Sequence, residues 1–235
     1  MKYFILFFLI SSLFSQSPLK IITNNQSISD KKVPVIFLMH GYGDNERYFN
    51  KFIRNFDEDA LIVSMRAPFK FSLISLGFLH NKWFHVDIDW NGNLKEKKSQ
   101  ILRSEKLIID TINHIQDEYN IDTTKIFIGG FSQGGMMALH ILSKYPEKFK
   151  GFIAHSTRLL KDFEFQDNLS RYKNLNLLII HGKRDLVLRI RNAYETKKIF
   201  EGMNSNIEFH ELKIGHRITI DSINIIENWF SKIST

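Results

Sequence analysis

The stretch KIFIGGFSQGGMMALHIL, residues Lys125–Leu142, decides how the chain is interpreted. It begins with an apolar, strand-like run, KIFIGG, and ends in the helix-like run GGMMALHIL. Between the ends of these runs lie one serine, Ser132, and four glycines within seven residues. Glycine loses more backbone entropy on folding than any other residue, so this density indicates a turn that needs its conformational freedom. The stretch predicts a sharp strand-to-helix turn with Ser132 at its tip.

The rest of the chain alternates between strand-like and helix-like segments. Short apolar runs predict strands at 33–41, 60–68, 125–132, 151–156, 176–182 and 207–215. Amphipathic stretches predict helices at Glu46–Phe56, Gln100–Tyr119, Gly134–Lys144, Arg191–Glu201 and Ile218–Lys232. Such alternation is typical of a mainly parallel sheet with helices on both faces, so the predicted fold class is α/β.

Length and composition favour one domain, which we place at 17–235. The chain has 235 residues, of which 43% are hydrophobic, enough for a single sizeable core. It contains no cysteine, which excludes disulfides, thiolate metal sites and a cysteine nucleophile. The net charge of +7 comes from scattered lysines and arginines rather than from one basic element. We therefore expect no nucleic-acid partner.

Residues 1–16, MKYFILFFLISSLFSQ, differ in character from the rest. Lys2 precedes an apolar run from Tyr3 to Phe14, and polar residues follow. This order is typical of a secretory signal peptide, and the run is shorter than the roughly 20 residues of a membrane span. The leader predicts export, to a periplasm or to the outside of the cell. Membrane contact is expected only if the leader is retained.

The segment Gly130–Gly134 fits the pattern G-x-S-x-G, which holds a serine hydroxyl on a strand-to-helix turn. Such a serine needs a histidine base, and in this arrangement the chain order is serine, acid, histidine. We favour His216, which lies in a loop between the last predicted strand and the final helix. His210, inside that strand, is the alternative. The other histidines after Ser132 lie on predicted strands or helices: His140, His155 and His181.

Three aspartates between serine and base are candidates for the acid. Asp162 and Asp167 lie in a polar connecting stretch. Asp185 follows a strand and a short turn, at the carboxyl end of the predicted sheet, where α/β proteins place their sites. We therefore predict a triad of Ser132, His216 and Asp185.

Two backbone N–H groups are expected to stabilise the negative charge on a substrate oxygen. One is that of Gln133, directly after the serine, and the other is that of Tyr42, in the glycine-containing loop after the first core strand. His40 and His181 are expected to brace loops by hydrogen bonds, and His155 to be a core or hydrogen-bonded histidine. The apolar segment 69–84 is expected either to line an acyl pocket or to pack on the core. The candidate pocket residues are Leu76, Phe78, Trp83 and Phe84.

These residues resemble those of the phospholipase/carboxylesterase family of α/β-hydrolases, which includes acyl-protein thioesterases. The matching motifs are IFLMHGYGDN, RAP at 66–68, WF at 83–84, IFIGGFSQGGMMAL, HGKRD and GH. The resemblance implies an α/β-hydrolase fold without a large cap domain and a serine hydrolase that acts on small esters or acyl thioesters. It also implies the same triad and the same two oxyanion donors.

Three positions depart from the family pattern: His85 stands where aspartate is common, Thr157 where glycine is usual, and Arg189 where proline is usual. They concern the substrate rather than the reaction. We expect an exported esterase that acts on carboxyl esters, acyl thioesters or lysolipids, without metal or cofactor, as a monomer or homodimer. The alternatives are an exported polyester or peptide hydrolase on the same fold, and a catalytically silent binding protein.

Overall fold

The computed structural model describes residues 18–24, 31–50, 52, 56, 59–72, 79–91 and 93–234. The predicted leader, residues 1–16, and the candidate pocket residues Leu76 and Phe78 lie outside the described residues.

A central sheet of seven strands organises the described chain. Its strands are β1 (Ile21–Thr23), β2 (Val33–Met39), β3 (Leu61–Met65), β8 (Ile121–Phe131), β9 (Gly151–His155), β10 (Asn176–Gly182) and β11 (Asn206–Leu212). Their spatial order is β1-β3-β2-β8-β9-β10-β11. All neighbours are parallel except β1, which pairs with β3 antiparallel. The sheet confirms the predicted parallel α/β architecture and its six predicted strands.

Two hairpins follow β3 in the chain. One pairs β4 (Phe69–Ser72) with β5 (Leu79–Lys82), and the other pairs β6 (Val86–Ile88) with β7 (Leu94–Glu96). Neither hairpin was predicted from the sequence, nor was the short strand β1.

Four α-helices are described: α1 (Lys98–Glu118), α2 (Gln133–Lys144), α3 (Arg191–Glu201) and α4 (Ile220–Ser234). They confirm four of the five predicted helices. The fifth prediction, Glu46–Phe56, begins as a 3-10 helix over Glu46–Phe49, and only isolated positions are described beyond Asn50. Helix α4 begins two residues later than predicted because Thr219 caps it, its hydroxyl accepting the Ser222 N–H at 3.4 Å. Among the described residues, no helix has the length and apolarity that crossing a membrane requires.

The sheet is covered on both faces because alternate strand residues face opposite sides. Val35, Phe37 and Met39 of β2 belong to a core cluster that also contains buried residues of α1, α2 and α3. Ile36 and Leu38 belong to a second cluster, which contains Trp229 and Phe230 of α4 and other residues. Because all strands except β1 run parallel, their carboxyl ends meet at one edge of the sheet.

Candidate active site

Ser132 lies at the tip of a strained turn between β8 and α2. Its φ of 53° and ψ of −117° are outside the favoured regions for a residue with a side chain. Its N–H donates to the His155 carbonyl at 3.0 Å. Its own carbonyl accepts the Met136 N–H at 3.0 Å and the Thr157 hydroxyl at 2.7 Å. These bonds, from β9 and from the first turn of α2, hold the serine in a conformation that would otherwise relax.

The glycines two residues before and after Ser132 are required by close backbone approach. A Cβ on Gly130 would lie 2.4 Å from the carbonyl carbon of Gly134. A Cβ on Gly134 would lie 2.1 Å from the carbonyl oxygen of Met39 in β2. Any side chain at either position would push the strand-to-helix turn around Ser132, here called the elbow, away from the sheet.

The three residues predicted as a triad are in direct contact. His216 Nε2 is 2.9 Å from Ser132 Oγ, and His216 Nδ1 is 2.7 Å from Asp185 Oδ2. The other carboxylate oxygen, Asp185 Oδ1, accepts the N–H groups of Val187 and Leu188 at 2.9 and 2.8 Å. The Asp185 carboxylate is fully buried, whereas the His216 side chain is 16% exposed. The arrangement therefore has a buried, anchored carboxylate and an imidazole ring that is open to solvent.

The alternatives considered from the sequence lie elsewhere. His210 Nε2 contacts Glu208 Oε1 at 2.9 Å on β11. Asp162 and Asp167 are exposed in the connection between β9 and β10.

The loop after β2 lies beside the serine. A Cβ on Gly41 would be 3.4 Å from the Cβ of Ser132. Gly43, with a φ of +88°, is tied to β5: its N–H donates to the Asn81 carbonyl at 2.9 Å, and its carbonyl contacts His80 Nδ1 at 2.7 Å. The backbone of Tyr42 is thus held between two fixed glycines.

Gln133 occupies the first position of α2, where backbone N–H groups have no acceptor inside the helix. Its side chain is buried and forms hydrogen bonds to the two residues that directly follow β5, Trp83 and Phe84. The Oε1 atom accepts the Trp83 N–H and the Nε2 group donates to the Phe84 carbonyl, each at 2.8 Å. The side chain fixes the residue while its N–H stays at the helix end beside Ser132.

Trp83 and Phe84 have no solvent exposure, so the structure places both candidate pocket residues in the core. The Trp83 indole N–H donates to the His40 carbonyl at 2.8 Å. Both residues therefore support Gln133 and the loop after β2 from behind. Exposed apolar side chains at this edge are instead Tyr42, Leu186 and Val187, at 50%, 92% and 68%. The last two directly follow Asp185 in the sequence, and this apolar pair beside the aspartate is the signal that could have predicted them.

Two further histidines near the site are buried and neutral. Burial lowers the pKa of His40 to about 4 and that of His155 to about 3. His40 Nδ1 donates to the Gly41 carbonyl at 2.7 Å and Nε2 accepts the Ala67 N–H at 3.0 Å. His155 contacts the hydroxyls of Ser156 and Ser222 at 3.1 and 2.8 Å. The predicted bracing role of His40 and the predicted core position of His155 are confirmed.

His181 braces the loop that carries the acid. Its Nε2 donates to the Leu188 carbonyl at 2.7 Å and is 3.5 Å from Asp185 Oδ2. Burial lowers the pKa of the His181 ring below its usual value. The bond to Leu188 closes the turn whose N–H groups hold Asp185, so His181 braces a loop as predicted. Within the part of the chain that the structure describes, no three His, Cys, Asp or Glu side chains are grouped to hold a metal ion.

The sequence of this chain is similar to those of known proteins. Residues 22–234 match the model of the phospholipase/carboxylesterase family. The chain belongs to this family. It is 28% identical over 214 residues to acyl-protein thioesterase 1 homolog 1 of Dictyostelium discoideum, covering 88% of this chain and 93% of that protein. It is 26% identical over 193 residues to acyl-protein thioesterase 1 of Candida albicans, covering 77% and 83%.

Solved structures share the fold of this chain. The carboxylesterase of Bacillus cereus superposes with a TM-score of 0.75 at 20% identity, covering 93% of this chain and 96% of that one. Acyl-protein thioesterase 2 of Zea mays superposes with a TM-score of 0.72 at 17% identity, covering 92% and 100%. This family member thus has the predicted α/β-hydrolase fold without a large cap, and it is a serine hydrolase of the esterase or thioesterase type.

Proposed function

We propose that this hydrolase cleaves carboxyl esters through an acyl-enzyme intermediate, with Ser132 as nucleophile, His216 as base and Asp185 as orienting acid. The observation that carries the proposal is the continuous contact from Ser132 Oγ through the His216 ring to Asp185. Asp185 Oδ2 accepts a hydrogen bond from the Nδ1–H group of His216, which leaves the lone pair of Nε2 directed at the serine hydroxyl.

The steps follow from this geometry. Ser132 Oγ attacks the substrate carbonyl carbon while its proton moves to His216 Nε2. The carbonyl oxygen becomes negative and accepts hydrogen bonds from the backbone N–H groups of Gln133 and Tyr42. The imidazolium returns its proton to the leaving oxygen, and the ester bond breaks. Water then attacks the acyl-enzyme with the same base, releasing the acid and restoring Ser132.

The substrate proposal rests on the exposed edge around Ser132. Tyr42, Leu186 and Val187 offer apolar contact to an acyl chain, and the described residues form no cap domain over them. Relatives are named for acyl-protein thioesterase activity. The leader pattern at residues 1–16 supports export instead, which favours small carboxyl esters or lysolipids over intracellular acyl-proteins.

The test compares the 17–235 protein with its Ser132→Ala variant. Both are assayed on p-nitrophenyl esters from acetate to laurate, on one acyl thioester, and on one polyester and one peptide. We expect hydrolysis of at least one ester by the parent and none above background by the variant. Equal rates would exclude Ser132 as nucleophile, and the absence of any activity would favour a binding protein. Hydrolysis of polyester or peptide alone would favour the other hydrolase class.

Export is tested separately by expressing the full chain and sequencing the N-terminus of the exported fraction. A mature N-terminus near residue 17 is expected. Full-length protein retained with the cells would overturn the export proposal and leave the esterase proposal intact.

A further inference from the structure

A groove at the carboxyl end of β3 collects positive charge. It encloses about 750 Å³ of space open to solvent and lies between the chain before β1, the end of β3 and helix α1. Four basic side chains line it: Lys20, Arg66, Lys70 and Arg103. No carboxylate lines it among the described residues, and Leu19 and Leu107 contribute apolar surface.

One buried carboxylate beneath the groove orients part of this charge. Glu46 is only 1% exposed, and its two oxygens accept from Nε and Nη2 of Arg66. Lys20 Nζ lies 3.8 Å from the same carboxylate. Because Glu46 uses one edge of the Arg66 guanidinium, it fixes the plane of that group and leaves Nη1 for another acceptor.

The other two cations have no carboxylate partner among the described residues. Arg103 lies over the Phe69 ring, 5.8 Å from its centroid, and Lys70 is exposed on β4. Lys106, one turn further along α1, differs because it is paired with Asp110 at 2.6 Å. Four cations against one carboxylate leave the groove with an excess positive charge, which attracts an anion.

We propose that this groove binds a phosphate group. A phosphate offers several acceptor oxygens at once, which suits donors that approach from β1, β3, β4 and α1, and arginine forks match its geometry. The groove adjoins the candidate active site: Asn81 lines it, and its amide donates to the Asp44 carbonyl at 2.8 Å in the loop beside Ser132. Binding here does not depend on the catalytic role of Ser132.

The test titrates 17–235 protein with inorganic phosphate and with glycerol 3-phosphate by calorimetry at low salt. The groove variant is Lys70→Gln/Arg103→Gln. The matched control, Lys106→Gln/Lys150→Gln, removes the same net charge, and Lys150 lies at the opposite, amino end of β9. Loss of two charge-assisted contacts is expected to weaken binding at least about tenfold in the groove variant. The control is expected to stay within about twofold of the parent, as its side chains lie outside the groove.

A second arm distinguishes the source of the phosphate. Vesicles of phosphatidylcholine with and without phosphatidylglycerol are sedimented with the same three proteins. Groove-dependent binding of glycerol 3-phosphate indicates a soluble phosphate ester, and groove-dependent binding of anionic vesicles alone indicates a lipid headgroup. Equal binding by the groove and control variants in both arms, or no binding by the parent, would overturn the proposal. Matching thermal transitions of the three proteins exclude unfolding as the cause.

Discussion

His216 and His155 lie at the same edge of the sheet, and both rings pack against Phe131, with centroids 4.7 and 5.6 Å away. Yet they differ in every feature that makes a base. His155 is 1% exposed, its two ring nitrogens contact hydroxyl groups, and burial lowers its pKa to about 3. His216 is partly exposed and contacts a carboxylate on one side and the serine hydroxyl on the other.

The comparison shows what distinguishes a candidate base from a structural histidine in this protein. In the proposed mechanism, the carboxylate stabilises the imidazolium that forms during proton transfer, and solvent access lets substrate approach. His155 lacks both. Its ring instead contacts Ser222 in α4, and its backbone carbonyl in β9 accepts the Ser132 N–H. One histidine is placed to move a proton, and the other holds the elbow.

The largest expected effect tests whether the carboxylate makes this difference. In Asp185→Asn, the amide no longer favours the Nδ1–H tautomer of His216 or stabilises the imidazolium. We expect kcat/KM to fall by about 10³- to 10⁴-fold in ester hydrolysis. Asp162→Asn, at an exposed position, is the matched control and should retain parent activity. Near-parent activity in Asp185→Asn would remove the distinction between the two histidines.

The second prediction concerns stability and the buried histidines. The pKa values of His40 and His155 lie at about 4 and about 3, below the unfolded value of 6.5. As the pH falls below 6.5, the unfolded chain therefore binds protons that the folded chain does not, and the free energy of unfolding decreases. Between pH 7 and pH 5, each side chain should lower it by about 2 kcal/mol.

Urea denaturation at pH 7, 6 and 5 measures this dependence. His155→Gln should reduce the slope by its own share, while His114→Gln, exposed on α1, should leave it nearly unchanged. A His155→Gln slope equal to that of the parent would show that His155 is not held neutral by burial.

The smallest expected effect concerns Thr157, whose hydroxyl donates to the Ser132 carbonyl at 2.7 Å. Thr157→Val keeps the shape and removes this bond, while the Met136 N–H still satisfies the carbonyl. We expect a loss of about 1 kcal/mol in unfolding free energy and a several-fold lower kcat, since the strained elbow is less firmly held. Thr157→Ser, which retains the hydroxyl, should restore both. A Val variant indistinguishable from the parent in both assays would show that β9 holds the elbow through the His155 carbonyl alone.

The elbow and the strands that meet at it could be predicted from the sequence because their signals are local. The glycines around Ser132 indicate a sharp turn, and the continuous apolar runs indicate buried parallel strands. The chain order of serine, acid and histidine then left few choices, and the structure brings Ser132, Asp185 and His216 together. The hairpins β4–β5 and β6–β7 were missed, since their short strands show no distinct apolar period.

What the sequence by itself determined is therefore the α/β class, the family and the residues in contact at the elbow, because spacing along the chain encodes them. Tertiary structure alone decided which aromatic residues are accessible. Trp83 and Phe84 are as apolar as the residues of a typical acyl pocket. Their side chains are nevertheless buried in the core, and their backbone groups form hydrogen bonds to the Gln133 side chain. It also decided that Lys20, Arg66, Lys70 and Arg103 line one groove. These residues are scattered over more than 80 positions of the chain, and only the packing of β1, β3, β4 and α1 brings their charges together.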